Sequence, residues 1–134
     1  MDEYFADSWF FIARIDRFDS HHSRARRVDE RLGTRTIVTH EAVLSEVLAF
    51  FSSQGAHLRR EAAFVIRRIL AKDEVMSIDR ALFARGVDLY AARPDKEYSL
   101  VDCISMVIMK ERGIQHVLTN DHHFRQEGFV VVNE

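Results

Sequence analysis

The sequence has very little of several residue types, and each shortage excludes a class of protein. A single cysteine among 134 residues permits no internal disulfide and no zinc site of the paired-cysteine kind. One proline and five glycines exclude collagen-like and low-complexity chains. No apolar run reaches the roughly 18–20 residues of a membrane-spanning helix, and the acidic start Met1-Asp2-Glu3 is unlike a signal peptide. The composition predicts a soluble, cytoplasmic protein without a membrane partner, in which oxygen or histidine holds any metal.

The charge balance gives no general argument for a polyanionic partner, but the basic residues are clustered. The chain carries 19 basic and 21 acidic residues, for a formal net charge of −2. Arginine accounts for 16 of the bases, with groups at 24–27, 59–60 and 67–68. Arginine suits phosphate because of its planar fork, yet it is equally common on solvated helix faces. The clusters alone therefore do not identify a nucleic-acid surface.

Short apolar segments alternate with helical patterns along the whole chain. Strands are predicted at 4–6, 36–39, 75–78, 116–119 and 129–132. Helices are predicted at 8–15, 20–32, 41–51, 100–112 and 122–126, and after Gly55 and Asp79. The helix after Asp79 is expected to turn inward Leu82, Phe83, Gly86, Val87 and Tyr90. This alternation predicts a single domain over residues 1–134, of the α/β class: a three-layer α/β/α sandwich with a central five-stranded parallel sheet.

Four carboxylates lie where such a sheet binds ligands, beyond the carboxyl ends of its strands. Asp7 and Asp121 follow the first and fourth strands, and Glu46 and Asp102 lie in early turns of helices next to strands. Considered alone, Asp102 is better explained as a helix-capping residue and Asp121 as a turn residue than as functional groups. For Asp7, helix capping and a functional role are equally good explanations. Glu46 differs, because a carboxylate on an otherwise apolar helix needs solvent or a partner.

Taken together, the four acids predict a cation site. Like charges gathered in one cleft repel strongly unless they are protonated or neutralised by a cation. Oxygen ligands suit the hard divalent ions Mg²⁺ or Mn²⁺, which keep bound water and accept phosphate oxygens as further ligands. Such a site binds phosphodiesters and activates water against them.

Four stretches of the chain resemble, in order, the motifs of PIN-domain ribonucleases. They are YFADS at 4–8, VLSEVL at 43–48, SLVDCIS at 99–105 and LTNDHHF at 118–124, and they span nearly the whole chain. Within the family the chain is most similar to single-domain toxins of the VapBC toxin–antitoxin type. The resemblance implies Mg²⁺- or Mn²⁺-dependent endonuclease activity on RNA, a homodimer, and inhibition by a small antitoxin protein.

The resemblance also implies roles for individual residues. The metal-site acids of the family are matched by Asp7, Glu46, Asp102 and Asp121, and its polar helpers by Ser8 and Thr119. The charge argument leads to a hypothesis for the mechanism: one metal, held chiefly by Asp7 and Asp102, activates water for in-line attack, while Glu46 and Asp121 hold outer-shell waters or a second ion. His123 stands where some relatives carry a further acid, so the site is expected to have one ligand fewer.

Substrate RNA must approach this acidic cleft, so basic residues are expected beside it. Arg24, Arg27 and Arg31 share one face of the second predicted helix and are the first candidates for phosphate contacts. A solvated face, or a surface for an acidic partner, explains them equally well. The histidine pairs at 21–22 and 122–123 are expected to be surface or loop residues, because neighbours on a helix point about 100° apart and do not easily share one ion. A position near the substrate stays open for His122 or His123.

Other functions stay open at this stage. A receiver-like signalling domain also gathers acids at strand ends, but only Asn133-Glu134 follows the fifth strand, where that fold needs a lysine. A Rossmann-type nucleotide binder lacks its glycine-rich loop here. A PIN-fold RNA-processing nuclease outside a toxin–antitoxin pair and a non-catalytic PIN-like binding module would both keep the fold. RNA cleavage separates the enzymes from the binding module, and a short upstream gene for a DNA-binding protein would favour the toxin.

Overall fold

The computed structural model describes residues 2–134 as a five-stranded sheet covered by helices. The strands are β1 (Asp2–Ala6), β2 (Arg35–His40), β3 (Glu74–Met76), β4 (His116–Leu118) and β5 (Val130–Val132). The helices are α1 (Ser8–Ile15), α2 (His22–Leu32), α3 (Glu41–Phe51), α4 (Ala56–Lys72), α5 (Arg80–Ala92), α6 (Leu100–Arg112) and α7 (His123–Gln126). All paired strands are parallel, in the order β3-β2-β1-β4-β5. The predicted α/β fold with a five-stranded parallel sheet is confirmed.

The chain adds strands first on one side of β1 and then on the other side, so the sheet has a topological switch point between β1 and β4. From β1 the chain proceeds through β2 to β3 at one edge, and then returns across the sheet to β4 and β5 on the other side. Crossovers between parallel strands are right-handed, so helices of the outward and return paths cover opposite faces. Accordingly α1 packs against α2, α3 and α4, whereas α5 packs against α6. The crevice beyond the ends of β1 and β4 is where sheets of this kind bind ligands.

The core lies between the sheet and both helix layers. Side chains with no exposed surface come from the central strands, such as Phe5, Val38 and Val117, and from α3 and α6. Strands covered on both faces need apolar residues in succession, which explains the apolar runs in the sequence. Cys103, the single cysteine, is buried and free in this core. Over residues 2–134 the structure contains no helix with the length and apolar character needed to traverse a bilayer.

Several element boundaries differ from the prediction by one or two residues, and at two of them a polar side chain gives the reason. α2 starts at His22 and not at residue 20, since Asp19 forms a turn and accepts a hydrogen bond of 2.8 Å from the His21 backbone N–H. β3 ends at Met76 and not at residue 78, where the Ile78 N–H instead donates to Glu41 Oε1 at 2.9 Å.

Helix α5 does not turn all its predicted inward residues toward the core. Phe83, Val87 and Tyr90 are 49%, 43% and 56% exposed, whereas Leu82 and Gly86 are buried. The helix approaches α6 so closely at Gly86 that a Cβ there would lie 2.6 Å from Ile104 Cγ1. The buried face of α5 therefore centres on Leu82 and Gly86. The prediction was wrong for the other three side chains, which form an exposed apolar stripe, the α5 stripe.

Candidate active site

Carboxylates from four separate elements converge beyond β1 and β4. Asp7 follows β1, Glu46 lies on α3, Asp102 lies in the first turn of α6, and Asp121 follows β4. They are close enough to interact: the charges of Asp102 and Asp121 act on Asp7, and the charges of Asp7 and Asp102 act on Glu46. The structure thus brings together all four acids singled out in the sequence. Their roles as ligands stay predictions.

Thr119 connects the first and the fourth acid. Its hydroxyl donates a hydrogen bond of 2.8 Å to Asp7 Oδ2 and accepts one of 3.1 Å from the Asp121 backbone N–H. Thr119 is fully buried and Asp7 is 7% exposed, so this hydrogen bond is shielded from solvent. Burial raises the pKa of Asp7 to about 6, although hydrogen bonds from Thr119 and from the Ser8 backbone oppose the shift.

Glu46 reaches the cleft from an otherwise apolar helix. Burial is the largest cause that raises the pKa of Glu46 to about 7, and the charges of Asp7 and Asp102 add to it. A hydrogen bond with the Ser8 side chain acts in the opposite direction. Ser8 is the first residue of α1, so the two predicted polar helpers contact different acids: Ser8 contacts Glu46, and Thr119 contacts Asp7.

Asp102 closes the first turn of α6 and also faces the cleft. Its backbone N–H donates to Ser99 Oγ, and its Oδ2 accepts from the Ser99 backbone N–H, both at 3.0 Å. This reciprocal capping box fixes the orientation of the carboxylate. Burial raises the pKa of Asp102, and the charge of Asp121 adds to the shift. The capping and functional explanations of this residue are therefore compatible.

His123 lies in the cleft beside the acids, which is the position near the substrate that the sequence left open for His122 or His123. Its Nδ1 is 3.2 Å from Asp121 Oδ1 and 3.6 Å from Asp102 Oδ2, and its side chain is 18% exposed. The cause is a tight turn: Asp121 Oδ1 accepts from the His123 backbone N–H at 2.9 Å. Such a turn reverses the chain and returns the side chain over the carboxylate. The two-residue spacing from Asp121 permits such a turn, but the spacing alone does not specify it.

A family model and several relatives place this architecture among known proteins. The model of the PIN domain matches residues 4–129. The chain belongs to the PIN domain family. It is 27% identical over 128 residues to the 23S rRNA-specific endonuclease VapC20 of Mycobacterium tuberculosis, with 96% of each chain covered. It is 26% identical over 102 residues to a VapC ribonuclease of Aquifex aeolicus, covering 75% of this chain and 72% of that one.

Solved structures give the same result for the fold of this PIN domain. The crystal structure of Mycobacterium tuberculosis VapC20, a Sarcin-Ricin loop cleaving toxin, has a TM-score of 0.86 at 26% identity, covering 98% of this chain and 99% of that one. VapBC2 of Rickettsia felis, bound to a promoter DNA fragment, has a TM-score of 0.69 at 12% identity and covers 98% of each chain. The predicted family is confirmed.

A cluster around Arg24 lies at the edge of the PIN cleft. Arg24 Nη2 donates to Asn120 Oδ1 at 3.1 Å and lies 2.6 Å from His21 Nδ1, and its guanidinium lies 5.6 Å from the centre of the Trp9 ring. Trp9 follows Ser8, and Asn120 precedes Asp121, so both adjoin the acids.

The sequence did not single out Trp9 or Asn120. Of the three predicted arginines, the structure places Arg24 beside the cleft, whereas Arg27 and Arg31 are exposed about one and two turns further along α2.

The donor set fits the predicted divalent ion. Carboxylate oxygens are hard ligands of the kind that Mg²⁺ and Mn²⁺ prefer. Ligand atoms of Asp102, Asp121 and His123 all lie within 4.8 Å of one another, and Asp7 and Glu46 adjoin them. The raised pKa values of Asp7 and Glu46 follow mainly from burial and also from mutual repulsion. A cation in the cleft would remove much of this electrostatic cost.

Proposed function

We propose that this PIN domain protein is a divalent-metal-dependent endoribonuclease and the toxin of a type II toxin–antitoxin pair. The nuclease class is borne out by relatives that are named as ribonucleases. The observation that carries the mechanism is the convergence of four carboxylates at the topological switch point of the sheet, with the pKa of Asp7 and Glu46 raised toward neutrality.

In this proposal Asp7 and Asp102 hold Mg²⁺ or Mn²⁺. When bound, the cation lowers the pKa of a water molecule and offsets charge on the phosphate. Thr119 orients the Asp7 carboxylate, and the Ser99 backbone N–H orients that of Asp102. Glu46 faces the same cleft from α3 and is the carboxylate proposed to accept the proton of the attacking water. In-line attack of the water oxygen on phosphorus would break the P–O3′ bond, and the leaving 3′-oxygen would take a proton from solvent, which gives a 3′-hydroxyl and a 5′-phosphate.

Arg24 is the residue that this proposal places on the RNA backbone. Its Nε and the neighbouring Trp9 Nε1 are buried donors that have no hydrogen-bond partner among the described residues. Unpaired buried donors are costly, so a side-chain movement that brings them to phosphate or sugar oxygens of the RNA would be favourable. Arg27 and Arg31 extend the positive surface along α2, so they are expected to contribute to the approach of RNA more than to its positioning.

Ribosomal RNA is the proposed substrate class, because the relative that covers 96% of this chain is named for 23S rRNA. This choice agrees with the predicted cytoplasmic location. The test incubates the purified protein with labelled 23S rRNA and with a sarcin–ricin loop oligonucleotide, in Mn²⁺, in Mg²⁺ or in EDTA. We expect a single cut with a 5′-phosphate end in metal and none in EDTA.

Asp102→Asn is the active-site variant for this test, and Asp88→Asn on the exposed side of α5 is its matched control. Loss of cleavage in Asp102→Asn alone would support the proposal. Equal cleavage by both variants would overturn the proposed site. If the folded wild type cuts neither these RNAs nor total cellular RNA, the non-catalytic binding module is favoured.

The groove between α1, α2 and α4 is the surface proposed for the antitoxin. It has a volume of about 440 Å³ and an apolar floor that includes Phe11, Ile15 and Val65. Four basic residues and two acidic residues also line it: Arg14, Arg35, Arg68, Lys72, Asp29 and Asp73. This chemistry suits an amphipathic segment with an acidic side.

The test of this surface measures inhibition of the protein by the product of an adjacent short gene. Arg68→Glu should weaken this inhibition, whereas the control Arg67→Glu, outside the groove, should not. Equal inhibition of the two variants would contradict the assignment.

The α5 stripe supports the predicted homodimer. Exposed apolar side chains that lie together on one helix face favour a protein interface. Light scattering should give twice the monomer mass of 15.6 kDa for the wild type and a monomer for Val87→Glu. A monomeric wild type, or an intact dimer of the variant, would show that this stripe is not the dimer interface.

A further inference from the structure

His123 gives the cleft a nitrogen donor that a site made only of carboxylates lacks. We infer that Asp102, Asp121 and His123 form a second cation position, with His123 Nδ1 as a ligand, that takes a transition-metal ion such as Mn²⁺ in preference to Mg²⁺. The inference rests on the proposed nuclease function, since this position shares Asp102 with the ion held by Asp7. His123 stands where some relatives carry a further acid, and in this inference its imidazole takes the place of that acid as a ligand.

The distances from His123 Nδ1 to the two carboxylates are close to those between neighbouring ligands in an octahedral site, and all three ligand atoms lie within 4.8 Å of one another. With metal–ligand bonds of about 2.1 Å, adjacent ligand atoms lie about 3 Å apart. His123 Nδ1 is 3.2 Å from Asp121 Oδ1 and 3.6 Å from Asp102 Oδ2. The set needs only small side-chain movements to enclose an ion.

The His123 Nδ1 atom is buried and makes no hydrogen bond to any described residue. Asp121 Oδ1 is near enough, but the contact lacks hydrogen-bond geometry, and this oxygen accepts from the His123 backbone N–H at 2.9 Å. A buried polar atom without a partner destabilises the fold. An ion between the three side chains would satisfy the nitrogen and both carboxylates at once.

Residues behind the imidazole hold it in this orientation. The Tyr98 ring packs edge-on against the His123 ring, with centroids 5.5 Å apart. Tyr98 is 5% exposed, and its hydroxyl donates to Glu127 Oε2 at 3.2 Å. Arg93 donates to the same carboxylate at 3.1 Å. Supporting contacts of this kind fix the direction in which a histidine presents its ligand atom.

The donor chemistry decides which ions the position favours. Mg²⁺ demands oxygen ligands and retains water, whereas imidazole suits transition metals, whose affinity for nitrogen sites rises from Mn²⁺ onward. The other explanation is that a protonated His123 is itself the counter-charge of the two carboxylates. That arrangement would leave no nitrogen free for an ion, so the two explanations predict different spectra.

Pulsed EPR of bound Mn²⁺ tests the inference directly, because a coordinated imidazole produces a ¹⁴N modulation. We expect this modulation in the wild type and in the control His122→Ala, whose exposed ring neighbours His123. We expect it to be lost in His123→Asp, with His123→Gln as a second variant if the first does not fold. Competition titrations should show Mn²⁺ bound about tenfold or more in preference to Mg²⁺ by the wild type, and less selectively by the variants.

The outcomes separate this inference from the nuclease proposal. Mn²⁺ binding without ¹⁴N modulation in the wild type would overturn the inference and leave the carboxylate site intact. A modulation that persists in His123→Asp would also overturn it. Failure to bind Mn²⁺ at all would overturn both.

Discussion

Replacing Asp7 with asparagine should stabilise the metal-free protein at pH 8. Burial raises the pKa of Asp7 from 3.8 to about 6, so the ionised group costs the folded state about 3 kcal/mol relative to the unfolded chain. The sign follows from the direction of the shift: the cost is absent below about pH 4 and complete above about pH 6. Asparagine carries no charge, but its new amide donors need partners, so we expect a net gain of roughly 1–3 kcal/mol.

The assay is urea unfolding in EDTA at pH 8 and at pH 4.5, with Asp88→Asn as an exposed control expected to change stability by less than about 0.5 kcal/mol. The gain from Asp7→Asn should shrink at the lower pH, where the wild-type carboxyl is largely protonated in the folded state. Adding Mn²⁺ at pH 8 should reverse the order, because only the wild type keeps the full ligand set. An Asp7→Asn protein less stable than the wild type in EDTA at pH 8 would refute this reasoning.

The remaining predictions concern Gly86, His40 and Glu46. Gly86→Ala should lower the free energy of unfolding by roughly 1–3 kcal/mol, because its Cβ would lie 2.6 Å from Ile104 Cγ1; an unchanged urea midpoint would contradict this. Burial lowers the pKa of His40 to about 4, so the wild type should lose more stability than His40→Asn between about pH 6.5 and pH 4; parallel losses would contradict it. Glu46→Gln should lower kcat for RNA cleavage about 10²- to 10⁴-fold in single-turnover assays, and an unchanged kcat would exclude Glu46 as the base.

The order of elements and the convergence of the acids could be predicted because both depend on local pattern plus one topological rule. Buried parallel strands are apolar runs, and their carboxyl ends share one edge of the sheet. Asp7 and Asp121 are therefore placed once the strands are found. The exposure of Phe83 and Val87 could not be predicted, because periodicity marks an apolar face without saying whether anything covers it.

The rest of the site depends on contacts that no local pattern contains. Arg24 meets Asn120 across 96 positions of the chain, and only the folded structure brings the two together. His123 depends on a tight turn whose geometry sequence spacing does not specify. Asp102 was ambiguous because the first turn of α6 is both a capping position and the edge of the cleft.

Crystals grown with Mn²⁺, and measured at a wavelength where manganese scatters anomalously, would examine the cleft most directly. We predict an anomalous peak within bonding distance of carboxylate oxygens of both Asp7 and Asp102, with Glu46 and Asp121 around it. Mn²⁺ bound only elsewhere, or carboxylates that stay apart with no ion between them, would contradict the account.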